Sequence, residues 1–132
     1  MESLDNSRNH MFFGDIVHWC YKDLAGITPD PNSVGFKHFD IQPFFPESLE
    51  FVKATHDCMY GQIRSEWKRV GEDVALVIEI PANTTSTIIL PKGDLMINDN
   101  PVKDADCVKN FITENKTQQF ELGSGVYKLV LN

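Results

Sequence analysis

From residue 36 onward, hydrophobic and polar positions alternate with a period of two along most of the chain. This period is typical of β-strands that bury one face. In the clearest run, residues 62–69, the side chains of Ile63, Ser65 and Trp67 share one face and charged residues occupy the other. We predict strands over 36–43, 49–55, 62–69, 74–80, 84–90, 95–97, 111–113, 117–122 and 126–131. Many short strands separated by turn residues predict a mainly β fold, an antiparallel, jelly-roll-like β-sandwich.

The pattern differs at the N-terminus, where one α-helix is predicted over residues 11–25, with Gly26 as its stop. Apolar residues such as Phe13 recur there at helical spacing, but Phe12 and Trp19 lie off that stripe. A helix that is apolar around most of its circumference must be buried in something large. We therefore expect either a partner or the rest of a longer polypeptide to cover this helix.

A turn region separates the helix from the strands. Two prolines and several strong turn formers fall within residues 28–33, and apolar sequence resumes directly after them. We therefore divide the chain into a helical segment, residues 1–27, and a β-sandwich domain, residues 28–132.

Charge and composition narrow the possible partners. The chain has 132 residues and a net charge of -7, which argues against nucleic acid or an anionic membrane as a partner. No apolar stretch approaches the roughly 20 residues needed to span a bilayer. Cys20, Cys58 and Cys107 are odd in number and widely spaced, so they fit neither a disulfide framework nor a zinc site. We expect no metal and no cofactor.

The usual hydrolase motifs are absent from the sequence. His38 and His56 fall in predicted strands, where we expect hydrogen-bonded structural histidines. A nucleophile–base pair formed by Cys58 and His56 would lack a third, orienting group. The acidic residues lie mostly at turns or on polar faces, so we expect no pair of glycosidase carboxyls and no catalytic residue in this chain.

His10 and Asn9 lie at the start of the predicted helix. The N-terminus of a helix collects unpaired N–H donors and a positive dipole, which suits it to bind hydroxyl groups or anions. Asn9 could also simply cap the helix while His10 packs beside it. The residues alone leave both interpretations open.

Several motifs, taken in order, resemble the C-terminal portion of bacterial α-L-rhamnosidases. The first two, residues 9–14 (NHMFFG) and 24–27 (LAGI), resemble the end of the catalytic domain. The next, residues 35–39 (GFKHF), resembles the crossing into the following domain. The last two, residues 60–67 (YGQIRSEW) and 80–85 (IPANTT), resemble that domain's strands.

The resemblance implies that the chain is a fragment. Members of this family hydrolyse terminal α-L-rhamnosides with inversion, using two glutamates in an (α/α)6 barrel that precedes a C-terminal β-sandwich. Residues 1–27 would then be the last barrel helix, and both glutamates would lie upstream of this chain. His10, with Asn9 beside it, would contact the sugar in the parent enzyme. The partners implied are the rest of the barrel and a rhamnoside substrate, and the chain alone is expected to be inactive.

Two alternative functions remain open at this point. The sandwich could be a carbohydrate-binding module that uses Trp67, Tyr60 and Tyr127, although the alternation of Trp67 with Ile63 favours core packing for that ring. The chain could instead be a homodimerisation domain that self-associates through its N-terminal helix. The resemblance points to a bacterial protein and leaves its compartment, periplasm or cytoplasm, open.

Overall fold

The computed structural model describes residues 24–33 and 35–132, and over these residues the chain forms strands with a single 3-10 turn, Val102–Asp104. The helix predicted over 11–25 lies outside the described residues except for its last two positions. The strands are β1 Ile27–Pro29, β2 His38–Ile41, β3 Phe51–Cys58, β4 Gly61–Val70, β5 Asp73–Ile80, β6 Thr85–Pro91, β7 Leu95–Ile97, β8 Asn100–Pro101, β9 Lys109–Thr113, β10 Thr117–Leu122 and β11 Gly125–Leu131. No helix within these residues is long and apolar enough to cross a membrane.

The strands form two sheets. The five-stranded sheet has the order β1-β2-β6-β10-β9, and the six-stranded sheet has the order β3-β4-β5-β11-β7-β8. Neighbouring strands are antiparallel with the exception of β2 and β6, which run parallel. The chain leaves β2, builds three strands of the other sheet and returns to β6, so these two strands meet in the same direction. The predicted mainly β sandwich is confirmed, with this one parallel pair added.

Alternation along β4 and β5 assigns their side chains to two faces. Ile63, Ser65 and Trp67 on β4 are buried, as are Leu76 and Ile78 on β5. The residues between them point away from the core. Both strands are therefore half-buried, as the period of two predicts.

The hydrophobic core lies between the sheets and draws on both of them. Phe39, Ile88 and Phe120 of the five-stranded sheet and Trp67 and Leu129 of the six-stranded sheet are all almost completely buried. Phe111 of β9 lies partly buried against this core, with its ring stacked 6.4 Å from that of Phe120.

Two short strands were not predicted. The sequence pattern predicts a turn over residues 28–33. In the structure, β1 begins at Ile27, extends into this turn region and pairs Ile27 with Ile41. Pro29 ends β1 at the edge of the sheet, where a residue without an N–H group is tolerated. The two residues of β8 pair with the end of β7, and a strand this short leaves no periodic signal in the sequence.

Candidate functional site at the entry to the sandwich

The backbone at Leu24 and Ala25 enters the sandwich against the inner face of β4. The indole Nε1 of Trp67 donates a hydrogen bond to the carbonyl oxygen of Leu24 at 3.1 Å, and Ser65 Oγ donates to that of Ala25 at 2.8 Å. Both donor side chains are only 1% exposed. Two carbonyl groups that would otherwise be buried without a partner are thereby satisfied, and the entering chain is fixed to a strand about 40 residues further on.

Gly26 completes this contact, which we call the entry site (Leu24–Gly26 with Ser65 and Trp67). Its φ of +76° lies in the left-handed region, and a Cβ at this position would overlap the carbonyl carbon of Gln42. The carbonyl oxygen of Gly26 accepts a hydrogen bond from the backbone N–H of Gln42 at 3.0 Å. A glycine is therefore required where these two backbone segments touch.

The ring of Trp67 is itself held by the segment that connects β2 to β3. Phe45 meets it edge to face, with ring centroids 5.1 Å apart, and the guanidinium carbon of Arg69 lies 5.9 Å from its centroid. Arg69 donates hydrogen bonds to the carbonyl oxygens of Phe45, Pro46 and Leu49 at 2.6 to 3.1 Å. These contacts fix the indole orientation that the bond to the entering chain requires.

One further polar group occupies the outer face of the five-stranded sheet. His38 is hydrogen-bonded through Nδ1 to Thr85 Oγ1 at 2.6 Å and through Nε2 to Thr87 Oγ1 at 2.9 Å. Burial raises the pKa of nearby Asp40, the positive charge of His38 opposes that shift, and the charge of Asp30 adds to it. His38 is therefore the hydrogen-bonded structural histidine that the sequence predicts.

The sequence points to His10, Asn9, Trp67, Tyr60 and Tyr127 as candidate sugar-binding residues. His10 and Asn9 lie outside the described residues, so their role in sugar binding stays a prediction. Trp67 and Tyr127 are buried, and the Tyr127 hydroxyl donates to the carbonyl oxygen of Gly123 at 3.0 Å. Tyr60 is half-buried in the turn after β3. These three aromatic rings therefore do not form one exposed sugar-binding face.

His56 and Cys58 of β3 are both half-buried, and the His56 ring lies 4.5 Å from that of Phe36. This packing fits a structural histidine. Over residues 24–33 and 35–132, no three His, Cys, Asp or Glu side chains are arranged to hold a metal ion.

Sequence reasoning did not find the entry site, although one signal was present. Ser65 occupies an inward position between Ile63 and Trp67, and a buried hydroxyl group needs a hydrogen-bond partner. The sequence could not identify that partner, because Ala25 is 40 residues away.

Residues 26–101 match the family model described as the bacterial alpha-L-rhamnosidase C-terminal domain. The chain belongs to this family. The matched region begins at Gly26, within the entry site, and extends to the end of β8.

Individual α-L-rhamnosidases align with nearly the whole chain. One from Formosa agariphila is 27% identical over 135 residues, covering 100% of this chain and 14% of the relative. One from Streptomyces avermitilis is 26% identical over 127 residues, covering 96% of this chain and 12% of the relative. The chain therefore spans only about one seventh of the length of the α-L-rhamnosidases that it matches.

Solved rhamnosidase structures contain the same fold. The α-L-rhamnosidase from Dictyoglumus thermophilum superimposes with a TM-score of 0.75 at 23% identity, over 91% of this chain and 14% of that one. The Streptomyces avermitilis α-L-rhamnosidase complexed with L-rhamnose gives a TM-score of 0.74 at 22% identity, over 91% of this chain and 11% of that one. In both, the matching part is a small fraction of a much larger protein.

Proposed function

We propose that this chain is the accessory β-sandwich of a larger α-L-rhamnosidase and supports the catalytic barrel of that enzyme. In this proposal residues 1–27 form the last helix of the barrel and residues 28–132 form the sandwich. The family match and the small share of each relative that the chain covers both support this division of roles.

The observation that carries the proposal is the entry site. A supporting domain must hold the preceding domain in one orientation, which requires a rigid connection between them. Here the connection is fixed by two buried side-chain hydrogen bonds, from Trp67 and Ser65, and by a glycine packed against the backbone of Gln42. A flexible linker would instead be rich in exposed small or polar residues.

The chemistry belongs to the rest of the parent enzyme in this proposal. The parent hydrolyses terminal α-L-rhamnosides with inversion, and the two glutamates for that reaction precede this chain. Inverting glycosidases need carboxyl groups on opposite sides of the glycosidic bond. This chain contributes His10, with Asn9 beside it, to the sugar-binding cleft.

An activity assay tests this division directly. The purified chain is expected to release no aglycone from an aryl α-L-rhamnoside above the blank, because the general acid and base are elsewhere. The Streptomyces avermitilis α-L-rhamnosidase serves as the positive control under the same conditions. Turnover by this chain that survives a second purification would contradict the proposal.

A further inference from the structure

The outer face of the six-stranded sheet carries a groove of about 410 Å³. Side chains of β3, β4 and β5 that point away from the core line it. The lining residues are Phe51, Lys53, Glu66, Lys68, Ala75 and Val77, together with Trp67, whose side chain is buried in the core. We call this feature the outer groove.

The strand register places these side chains in two rows across the sheet. Phe51 lies opposite Lys68, which lies opposite Ala75 on the next strand. In the other row, Lys53 lies opposite Glu66, which lies opposite Val77. Each row therefore combines a lysine with apolar surface, and side chains opposite each other on one face are close enough to bind one ligand together.

The charged residues that line the outer groove, Lys53, Lys68 and Glu66, sum to a formal charge of +1, although the chain as a whole has a net charge of -7. Two lysines, Lys53 and Lys68, line it together with a single carboxylate, Glu66. At the rim, Lys128 lies opposite Val77 on the next strand, and Asp73 shares the outer face of β5 with Ala75 and Val77, so the two rim charges offset each other. This local excess of positive charge favours an anionic ligand.

The apolar part of the outer groove can hold the face of a ring. Phe51 is 58% exposed, an unusual position for a large aromatic side chain, and it forms one wall. Ala75 and Val77 lie on β5, two strands away from Phe51, across Lys68 and Glu66 of β4. A sugar ring presents C–H groups on one face and polar groups at its edge, which complements an apolar wall surrounded by charged side chains.

The volume and the charge of the outer groove indicate which kind of partner it binds. A volume of about 410 Å³ lies within the range of small-ligand sites. A second copy of the chain would bring the same lysines face to face, and such like-charge contacts oppose association. A small anionic molecule with an apolar face fits both observations.

We infer that the outer groove binds a carboxylated saccharide, a uronate-containing segment of the glycan on which the parent enzyme acts. The ammonium groups of Lys53 and Lys68 would pair with the carboxylate, while Phe51 would contact the face of the ring. The choice of a saccharide rests on the proposed function. The preference for an anion rests on the groove alone.

Calorimetric titration of the full chain tests this inference. The ligands are a rhamnosyl-glucuronic acid disaccharide and its neutral counterpart, rhamnosyl-glucose. We expect the acidic disaccharide to bind at least tenfold more tightly, and its affinity to fall when NaCl is raised from about 50 to 500 mM. The double variant Lys53→Gln, Lys68→Gln should lose at least tenfold in affinity for the acidic ligand.

The matched control is Lys109→Gln, which removes an exposed lysine from β9 of the opposite sheet and should leave binding unchanged. If the double variant does not fold, amide chemical-shift mapping on the unsubstituted chain decides instead, with changes expected at 51–53, 66–68 and 75–77. Equal affinity for both disaccharides, no binding, or shifts confined to other strands would overturn the inference. If the acidic disaccharide does not bind and the chain is inactive in the rhamnoside assay, the binding role of the outer groove is wrong, but the proposed accessory role still stands.

Discussion

At the scale of single residues, buried serines join distant parts of this chain. Ser65 donates to the carbonyl oxygen of Ala25, and Ser86 donates to that of Phe39, each at 2.8 Å. Both hydroxyl groups are almost completely buried. The two bonds are alike in length and burial, but only the first fixes the chain where it enters the sandwich.

Ser65→Ala is expected to loosen the entry site. The substitution leaves the buried carbonyl group of Ala25 without a partner, at a cost of about 1–3 kcal/mol in the free energy of unfolding. Ser86→Ala should cost a similar amount. Hydrogen exchange separates the two, because only Ser65→Ala should accelerate exchange of the amides at residues 24–27 and Gln42 beyond the global effect. Identical exchange in both variants would contradict a local role for Ser65.

Asp40→Asn is expected to stabilise the protein near neutral pH. Burial raises the pKa of Asp40 above its ordinary value of 3.8, so the folded state binds this proton more tightly than the unfolded state does. The free energy of unfolding therefore falls as the pH rises from the unfolded-state pKa of Asp40 through its higher folded-state pKa. The melting temperature of Asp40→Asn should exceed that of the parent chain near pH 7, and the difference should shrink toward pH 4. Asp94→Asn, at an exposed side chain, should give no such pH-dependent gain.

At the scale of elements, β4 contributes side chains to both the entry site and the outer groove. Its inward residues Ser65 and Trp67 hold the entering chain, while its outward residues Glu66 and Lys68 line the outer groove. The alternation of β4 was predictable because a period of two over the eight residues 62–69 is a strong signal. The contacts of its two faces were not predictable, because they depend on strands and backbone segments far away in the sequence.

Shortening the chain tests how much the entry segment and β1 contribute to the stability of the sandwich. A chain that begins at residue 28 loses buried Leu24, Ala25 and Ile27 and leaves the donors of Ser65 and Trp67 buried without partners. A chain that begins at residue 24 keeps all of these contacts. We expect the shorter chain to be less stable by at least about 3 kcal/mol, judged from two lost hydrogen bonds and the lost apolar burial. Equal urea midpoints for the two chains would show that the entry site does not stabilise the sandwich.

At the scale of the whole molecule, the mainly β architecture and the family followed from local patterns and motif order. The motifs at 24–27 and 60–67 are far apart in the sequence, and the structure brings them together as the entry site. The parallel pairing of β2 with β6 was not predicted. Strand pairing between distant segments leaves no periodic signal within either one, so patterns read along the chain cannot reveal it.

That parallel pair also determines the order in which the protein can fold as it is made. β2 pairs with β6 residues 47 positions later, as His38 with Thr85, so β2 is synthesised well before this partner strand. The β3–β4–β5 meander needs only neighbouring strands and can form earlier. Pairings between distant segments also slow folding. We therefore expect the β3–β4–β5 meander to nucleate folding, and the five-stranded sheet and the pairing of β11 with β5 to form late.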